Sequence, residues 1–272
     1  MANKELPALT AASALTGDER VHVVQSSNSR RTTTRDIANL NSALNLQTVV
    51  PVADAAAIDA SGVRVQTIGT GGPVVAPCAA TNLLSSLRRA NYGGDATAAF
   101  SAGFFVDGPS LYLGDVAGRG GFDVKFGFGL EVLNAAAQTR YFGGICGEAT
   151  PAGLEPSAIV NMIGLGCDLA DTNLKLMHNN GAGVATEIDL GWPGKTIGEA
   201  WVLRLSALPF AQLVEYSVTR LTDGSILAGS FATEMPVATA FLGPCLYNNN
   251  GAGGGAGVKT PFLGYSGRAR SL

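Results

Sequence analysis

Residues 214–233 read VEYSVTRLTDGSILAGSFAT, and this stretch gives the strongest indication of the fold. The apolar residues Val214, Tyr216 and Val218 alternate with polar ones, as in a strand with one buried face. Asp223-Gly224 then leads into a second β-prone segment, and this dipeptide favours a tight hairpin turn. The stretch therefore predicts two antiparallel strands joined by a short turn.

Similar strand-like segments occur in the surrounding sequence. Five further strand-like segments are 121–133, 140–148, 173–178, 184–191 and 201–208. The first two predict one hairpin, the next two predict another, and the last predicts a single strand. Closely spaced strands with Gly-rich turns and no helical periodicity predict an antiparallel, jelly-roll-like β-sandwich, which we place at residues 99–272. The protein is thus predicted to be mainly β.

The first 98 residues have a different residue pattern, which predicts two smaller regions. Residues 1–40 predict a short hairpin with a polar tip at 26–29, followed by a helical turn. Residues 41–98 predict a connector, with one short helix over 51–62 and another after Thr81, and a Gly/Pro-rich extended linker over 67–78. The hairpin is too small to fold by itself.

Composition limits the classes of function. Charged residues make up only 14% of the 272, and the formal net charge is -3. Without a basic stripe the chain is not expected to bind nucleic acid, and no apolar run is long enough to span a bilayer. The N-terminus shows no signal peptide, so we expect synthesis in the cytoplasm. Low charge with many small residues suits a protein that assembles with its own copies.

No motif for catalysis, a cofactor or a metal stands out. Asp123 and Glu131 would share a face of one continuous strand, and a glycan hydrolase needs two such carboxylates, although solvated strand residues explain them as well. Asp168, Asp171 and Asn173 could approach a calcium ion, but turn-forming side chains are the alternative. We therefore predict no enzyme activity, no cofactor and no metal site.

Two segments predict recognition of sugars. LYNNNGAGGGAG at 246–257 combines an aromatic ring with amides on a predicted loop, and DLGWPGKT at 189–196 places a tryptophan on a turn. Aromatic faces stack on sugar rings, and Asn side chains both donate to and accept from hydroxyl groups. The candidate glycan-binding residues are Trp192, Tyr247, Asn248 and Asn249. The alternative is that these are ordinary turns with packed aromatics.

Residues 5–40, ELPALTAASALTGDERVHVVQSSNSRRTTTRDIANL, resemble a segment of tailed-bacteriophage structural proteins, especially tail fibres and related appendages. The shared pattern is a Leu-Pro, the run LTGDE, a V-x-V-V-Q strand and the run R-x-T-T-x-x-D-I-A. Residues 163–191 and 214–251 look like a β-sandwich module that recurs in phage particle proteins, where it forms an outer domain.

This resemblance implies an attachment segment followed by a displayed domain. The implied attachment residues are Leu6, Leu15, Val21, Val23 and Ile37. The implied protein is a virion fibre or spike on a phage or phage-like particle, a homo-oligomer (a trimer first, a pentamer second) that contacts other capsid or tail proteins and a host-surface glycan. Two alternatives remain open: a purely architectural adaptor or capsid decoration, and a glycan depolymerase.

Overall fold

The computed structural model describes most of the chain beyond residue 100 and several shorter segments before it. The described residues are 20–25, 28–33, 46–49, 59–60, 63–69, 74–76, 78–87, 89–93, 101–107, 109–131, 139–147, 155–182, 184–251 and 258–270. The chain divides into two compact units, Met1–Asn45 and Leu46–Leu272.

The first unit contains the hairpin that the sequence predicts. Strand β1 (Arg20–Gln25) pairs antiparallel with β2 (Asn28–Thr33). The tip is shorter than predicted, because Asn28 already pairs with Gln25. Val21 and Val23 lie on β1, whereas Leu6, Leu15 and Ile37 lie outside the described residues. Their part in attachment stays a prediction.

The described residues of the second unit form strands and two very short helices. Its strands are β3 (Leu46–Val49), β4 (Asp59–Ala60), β5 (Val63–Gly69), β6 (Val74–Ala76), β7 (Arg89–Gly93), β8 (Ser101–Asp107), β9 (Phe122–Gly129), β10 (Arg140–Cys146), β11 (Met162–Cys167), β12 (Asn173–Asn179), β13 (Thr186–Pro193), β14 (Ala200–Ala207), β15 (Val214–Arg220), β16 (Ile226–Phe231), β17 (Gly243–Asn249) and β18 (Lys259–Ala269). Helix α1 spans Leu83–Ser86, and a 3₁₀ helix spans Pro156–Ala158. Among the described residues, no helix has the length and apolar character needed to cross a membrane.

These strands form two antiparallel sheets. Sheet 1 has the order β13-β12-β11-β10-β17-β8-β5-β4. Sheet 2 has the order β16-β15-β14-β9-β18-β7-β6, and β3 pairs with the far half of β18. The prediction of a mainly β protein with an antiparallel sandwich is confirmed.

Two predicted hairpins are confirmed and one is wrong. β15 pairs with β16 and β12 pairs with β13, as the short turns between them indicated. β9 and β10 were predicted to pair, but they lie in different sheets. β9 pairs with β14 and β18, and β10 pairs with β11 and β17. Alternating apolar residues show that a segment is a strand, but they do not identify its partner.

Residues 41–98 differ from the predicted connector in the part that the structure describes. The short helix is present as α1, although Asn82 rather than Thr81 caps it. The end of the predicted helix over 51–62 is instead strand β4. The segment predicted as an extended linker includes the end of β5 and all of β6, and these strands pair with β8 and β7. Val, Ile and Thr suit strands, and Ile68 on β5 is buried.

The main core lies between the sheets and is rich in aromatic rings. Trp201 on β14 is fully buried and stacks on Tyr141 of β10, with ring centroids 6.0 Å apart. Phe128 on β9 contacts both rings. Phe104 and Phe262 extend the cluster at a centroid distance of 4.8 Å. Burial of rings from both sheets is the main favourable term that holds them together.

Sheet 1 is also buried on its opposite face. Phe142 and Met162 belong to a second apolar cluster, whereas their neighbours Tyr141 and Ile163 belong to the main core. Ile159, which follows the 3₁₀ helix, packs on this second cluster. Sheet 1 is therefore covered on both faces at its centre, and sheet 2 presents the open face of the sandwich.

Candidate functional site

The outer face of sheet 2 is polar across five adjacent strands. On β9, Val124 and Phe126 point into the core, so Asp123 and Lys125 point outwards. On β14, Leu203 and Leu205 point inwards, and Arg204 points outwards. The same alternation on β15, β16 and β18 places hydroxyl groups and charges on one surface.

Strand register arranges these side chains in two rows. The first row is Arg268, Asp123, Ser206, Glu215 and Ser230. The second row is Ser266, Lys125, Arg204, Ser217 and Ala228. Adjacent members of a row are direct cross-strand neighbours, so their side chains lie within reach of one another.

The two rows line a groove of about 760 Å³ that is open to solvent. We call it the outer-face groove. Its lining combines four serine hydroxyls with acidic and basic groups from β9, β14, β15 and β18. A groove of this size falls within the range of ordinary small-ligand sites.

One end of the outer-face groove is held by a carboxylate between two guanidinium groups. Arg270 donates to Asp123 through Nη2 at 2.5 Å and Nε at 2.8 Å, and Arg268 donates through Nε at 2.8 Å. Burial alone would raise the pKa of the Asp123 carboxyl. The hydrogen bonds and charges of Arg270 and Arg268 outweigh it and lower that pKa below its usual value. Asp123 is therefore ionised at neutral pH.

A smaller pocket of about 410 Å³ adjoins this end. It shares Ser206 and Glu215 with the outer-face groove and is lined as well by Leu208, Phe210 and Leu213. Phe210 has a positive φ of 58° and stays 45% exposed. Its N–H donates to the carbonyl oxygens of Leu113 and Arg119, and these bonds hold the unusual backbone conformation.

The residues predicted to bind glycan from a loop at 247–249 are in fact buried strand residues. Tyr247, Asn248 and Asn249 lie on β17, in the middle of sheet 1, and each is at most 2% exposed. The Asn248 amide donates to the Tyr92 carbonyl at 3.1 Å and to Thr260 Oγ1 at 2.6 Å. Paired amides of this kind satisfy buried polar groups within the protein. We therefore do not assign a glycan site to β17.

Trp192 lies near the end of edge strand β13 rather than on a turn outside it. It is half-buried and packs against the main core. The following residues do turn, and the Gly194 carbonyl accepts the hydroxyl of Tyr141 at 2.5 Å. The outer-face groove on sheet 2 does not include Trp192.

The two carboxylates considered for hydrolysis have separate partners. Asp123 is bound by Arg268 and Arg270, whereas Glu131 accepts from Asn91 Nδ2 at 2.6 Å and pairs with Arg89 at 3.4 Å. Each belongs to its own ion pair at its own end of β9, and they do not converge on one site.

The acidic residues considered for calcium are only partly brought together. Asp168, Asp171 and Glu187 offer oxygens within 4.8 Å of one another, but the Asn173 amide donates to Asp189. Asp168 accepts both the N–H and the hydroxyl of Ser157. Asp171 accepts the N–H of Asp168 at 2.8 Å. These bonds fasten the 3₁₀ helix to the turn after β11, which gives the cluster a structural role.

Apart from Asp123, the residues of the outer-face groove were missed because each is an ordinary polar strand residue. Lys125, Arg204 and Ser217 come from three segments that the sequence correctly predicts as strands. The available signal was the alternation itself, which already places Glu215 and Ser217 on one side of β15. Only the order of strands in sheet 2 reveals that these positions are neighbours.

Several solved structures have a similar architecture. Peanut lectin is similar to the chain with a TM-score of 0.54 and 12% identity, covering 82% of this chain and 97% of that one. The fold is lectin-like. Arcelin-5, a lectin-like defence protein of Phaseolus vulgaris, gives a TM-score of 0.51 at 10% identity, covering 84% of this chain and 100% of its own.

Two further similar structures are a protein of unknown function from Shewanella oneidensis and the carbohydrate recognition domain of Emp47p. They give TM-scores of 0.52 and 0.50 at 12% and 11% identity. They cover 82% and 83% of this chain, and 85% and 97% of their own. No protein-family model matches the sequence, and no curated protein matches it. Identities this low establish the fold alone.

Proposed function

We propose that the protein binds carbohydrate through the outer-face groove. The groove carries this proposal, because it presents hydroxyl, carboxylate and guanidinium groups in register over five strands. Sugars expose many hydroxyl groups that both donate and accept, and such a mixed surface can match them. Two structures of similar fold are named as a lectin and as a carbohydrate recognition domain, which supports the proposal.

Binding without hydrolysis fits the charges of the outer-face groove. A glycan hydrolase needs a carboxyl group with a raised pKa that can donate a proton to the leaving sugar. The pKa of Asp123 is instead lowered by two arginines, so this residue cannot act as that acid. We propose a binding protein and not a depolymerase.

Filling the outer-face groove should abolish carbohydrate binding. Ser217 is half-exposed on β15 beside Arg204, and the Ser217→Trp change places a large ring there without changing the charge. Tryptophan is well tolerated on strands, so the fold should persist. We expect affinity for a glycan selected on an array to fall at least about tenfold, measured by calorimetry.

The matched control for this change is Thr186→Trp. Thr186 is exposed on β13, an edge strand of sheet 1, and does not line the outer-face groove. It should bind like the unaltered protein. Equal binding by Ser217→Trp and Thr186→Trp would place the ligand elsewhere, and an array on which no glycan binds would contradict the function itself.

We further propose that residues 1–45 attach the protein to the surface of a phage or phage-like particle as a fibre or spike. The resemblance of residues 5–40 to phage segments supports this, and so does the small hairpin β1–β2. A two-stranded hairpin is marginally stable in water and gains from pairing with other copies or with particle proteins. In a trimer, weak binding at each groove would combine into useful avidity.

The mass in solution tests this assembly. The full chain of 27.7 kDa should form a trimer, and residues 46–272, which hold every strand of both sandwich sheets described here, should be monomeric. Light scattering coupled to gel filtration measures both masses. An oligomer that survives removal of residues 1–45 would contradict assembly through this segment. A monomeric full chain would contradict the trimer and favour an adaptor or decoration role.

A further inference from the structure

Two cations face each other at the centre of the outer-face groove. Lys125 on β9 and Arg204 on β14 are direct register partners, and both point outwards. Side chains in this relation start from Cβ atoms about 4.5–5.5 Å apart. Like charges placed directly opposite each other destabilise a sheet, so this pair is unfavourable for the fold alone.

The acids of the adjacent row, Asp123 and Glu215, do not form ion pairs with Lys125 or Arg204 in the described part of the chain. The neighbours of the pair in its own row are Ser266 and Ser217, which are neutral. Asp123 in the next row already binds two arginines. Within the part of the chain that the structure describes, neither Lys125 nor Arg204 takes part in an ion pair.

The outer-face groove has an excess of basic side chains, whereas the whole chain has an excess of acidic ones. The chain carries 18 basic and 21 acidic residues. The groove is lined by Lys125, Arg204 and Arg268 against Asp123 and Glu215, and Arg270 stands at its end. Basic side chains therefore outnumber acidic ones at this surface, which favours a negatively charged ligand.

We propose that Lys125 and Arg204 bind the anionic group of an acidic sugar. This inference rests on the proposed function and names its substrate class: a glycan with a uronate carboxylate or a sulfate ester. The planar fork of Arg204 suits two parallel hydrogen bonds to such a group, and Lys125 adds a point charge. The flanking hydroxyls of Ser217 and Ser206 would receive the hydroxyl groups of the sugar ring.

The test compares matched ligands and matched variants. Oligogalacturonate, its neutral methyl ester and a sulfated galactan oligosaccharide are titrated into the full-length protein by calorimetry. The first or the third should bind at least about tenfold tighter than the ester, and added salt should weaken that binding. Lys125→Gln and Arg204→Gln should each remove about tenfold or more of the affinity for the acidic ligand.

Stability and a distant cation provide the controls. Lys195 lies between β13 and β14, outside the outer-face groove, and Lys195→Gln makes the same charge change there. It should leave binding unchanged. Because Lys125→Gln and Arg204→Gln each relieve a like-charge contact, their unfolding midpoints in urea should be equal to or above that of the unaltered protein. A loss of binding caused by misfolding would instead lower the midpoint.

The outcomes separate this inference from the proposed function. The acidic ligand would be overturned if neither oligogalacturonate nor the sulfated galactan bound more tightly than the methyl ester, or if binding were unchanged in both groove variants. If Ser217→Trp still removed glycan binding in that case, carbohydrate recognition would stand. Preference for the uronate or for the sulfated ligand distinguishes the two sources of the negative charge.

Discussion

Replacing Gly103 with Ala should destabilise the sandwich by about 3–5 kcal/mol, because strain and overlap add at one position. Gly103 lies on β8 between Tyr247 of β17 and Ile68 of β5. Its φ is +149°, and an added Cβ would lie 1.9 Å from the Leu246 carbonyl oxygen. That oxygen belongs to the backbone of the neighbouring strand, which cannot move away without breaking the ladder of sheet 1.

The control for Gly103→Ala separates strain from overlap. Gly118 has a φ of +80°, but an added Cβ would meet no atom within 4 Å. Gly118→Ala should therefore lower the free energy of unfolding only by the strain of a positive φ, about 1–2 kcal/mol. Urea unfolding followed by circular dichroism measures both variants. Equal losses would mean that β17 can shift to admit a methyl group.

The second large effect is expected at Trp201. This ring is fully buried between the sheets, where it stacks on Tyr141 and contacts Phe128 at a centroid distance of 5.5 Å. Trp201→Ala removes these contacts and leaves a cavity, which should lower the free energy of unfolding by about 3–5 kcal/mol. A partly folded variant would also lose the outer-face groove, so a loss of glycan binding would not measure this effect. Urea unfolding measures it directly.

The chain offers a matched control in its second tryptophan. Trp192 on edge strand β13 is only half-buried, so Trp192→Ala makes the same chemical change with less area returned to water. It should cost clearly less than Trp201→Ala in the same urea experiment. A larger loss at Trp192 would show that the edge of sheet 1, and not the core between the sheets, limits stability.

The parts of the fold that the sequence predicts correctly are local. β15 and β16 are joined by the turn at Asp223-Gly224, so the chain itself fixes their partner and register. β9 instead pairs with β18, which follows far along the chain. The alternation of apolar and polar residues in β9 does not identify that partner. Pairing over such distances depends on the packing of the complete sheet.

The candidate site was less predictable for the same reason. Asn248 has a low preference for strands, and its neighbours suggested an exposed loop. It nevertheless lies on β17 of sheet 1, where its amide donates to Tyr92 and Thr260 of sheet 2. Lys125 and Arg204 become neighbours only when β9 and β14 pair. A single sequence shows the polar side of each strand, but it does not show which polar sides meet.

The position of β18 has a consequence for biosynthesis. β18 joins β9 on one side, and β7 and β3 on the other, so it lies within sheet 2 although it is the last strand described. While the ribosome is still translating the preceding residues, the strand that lies between β7 and β9 in the folded sheet is missing from the nascent chain. Sheet 2 can close only after residues 259–269 have left the ribosome, and until then the exposed strand edges are open to chaperones or to other nascent chains.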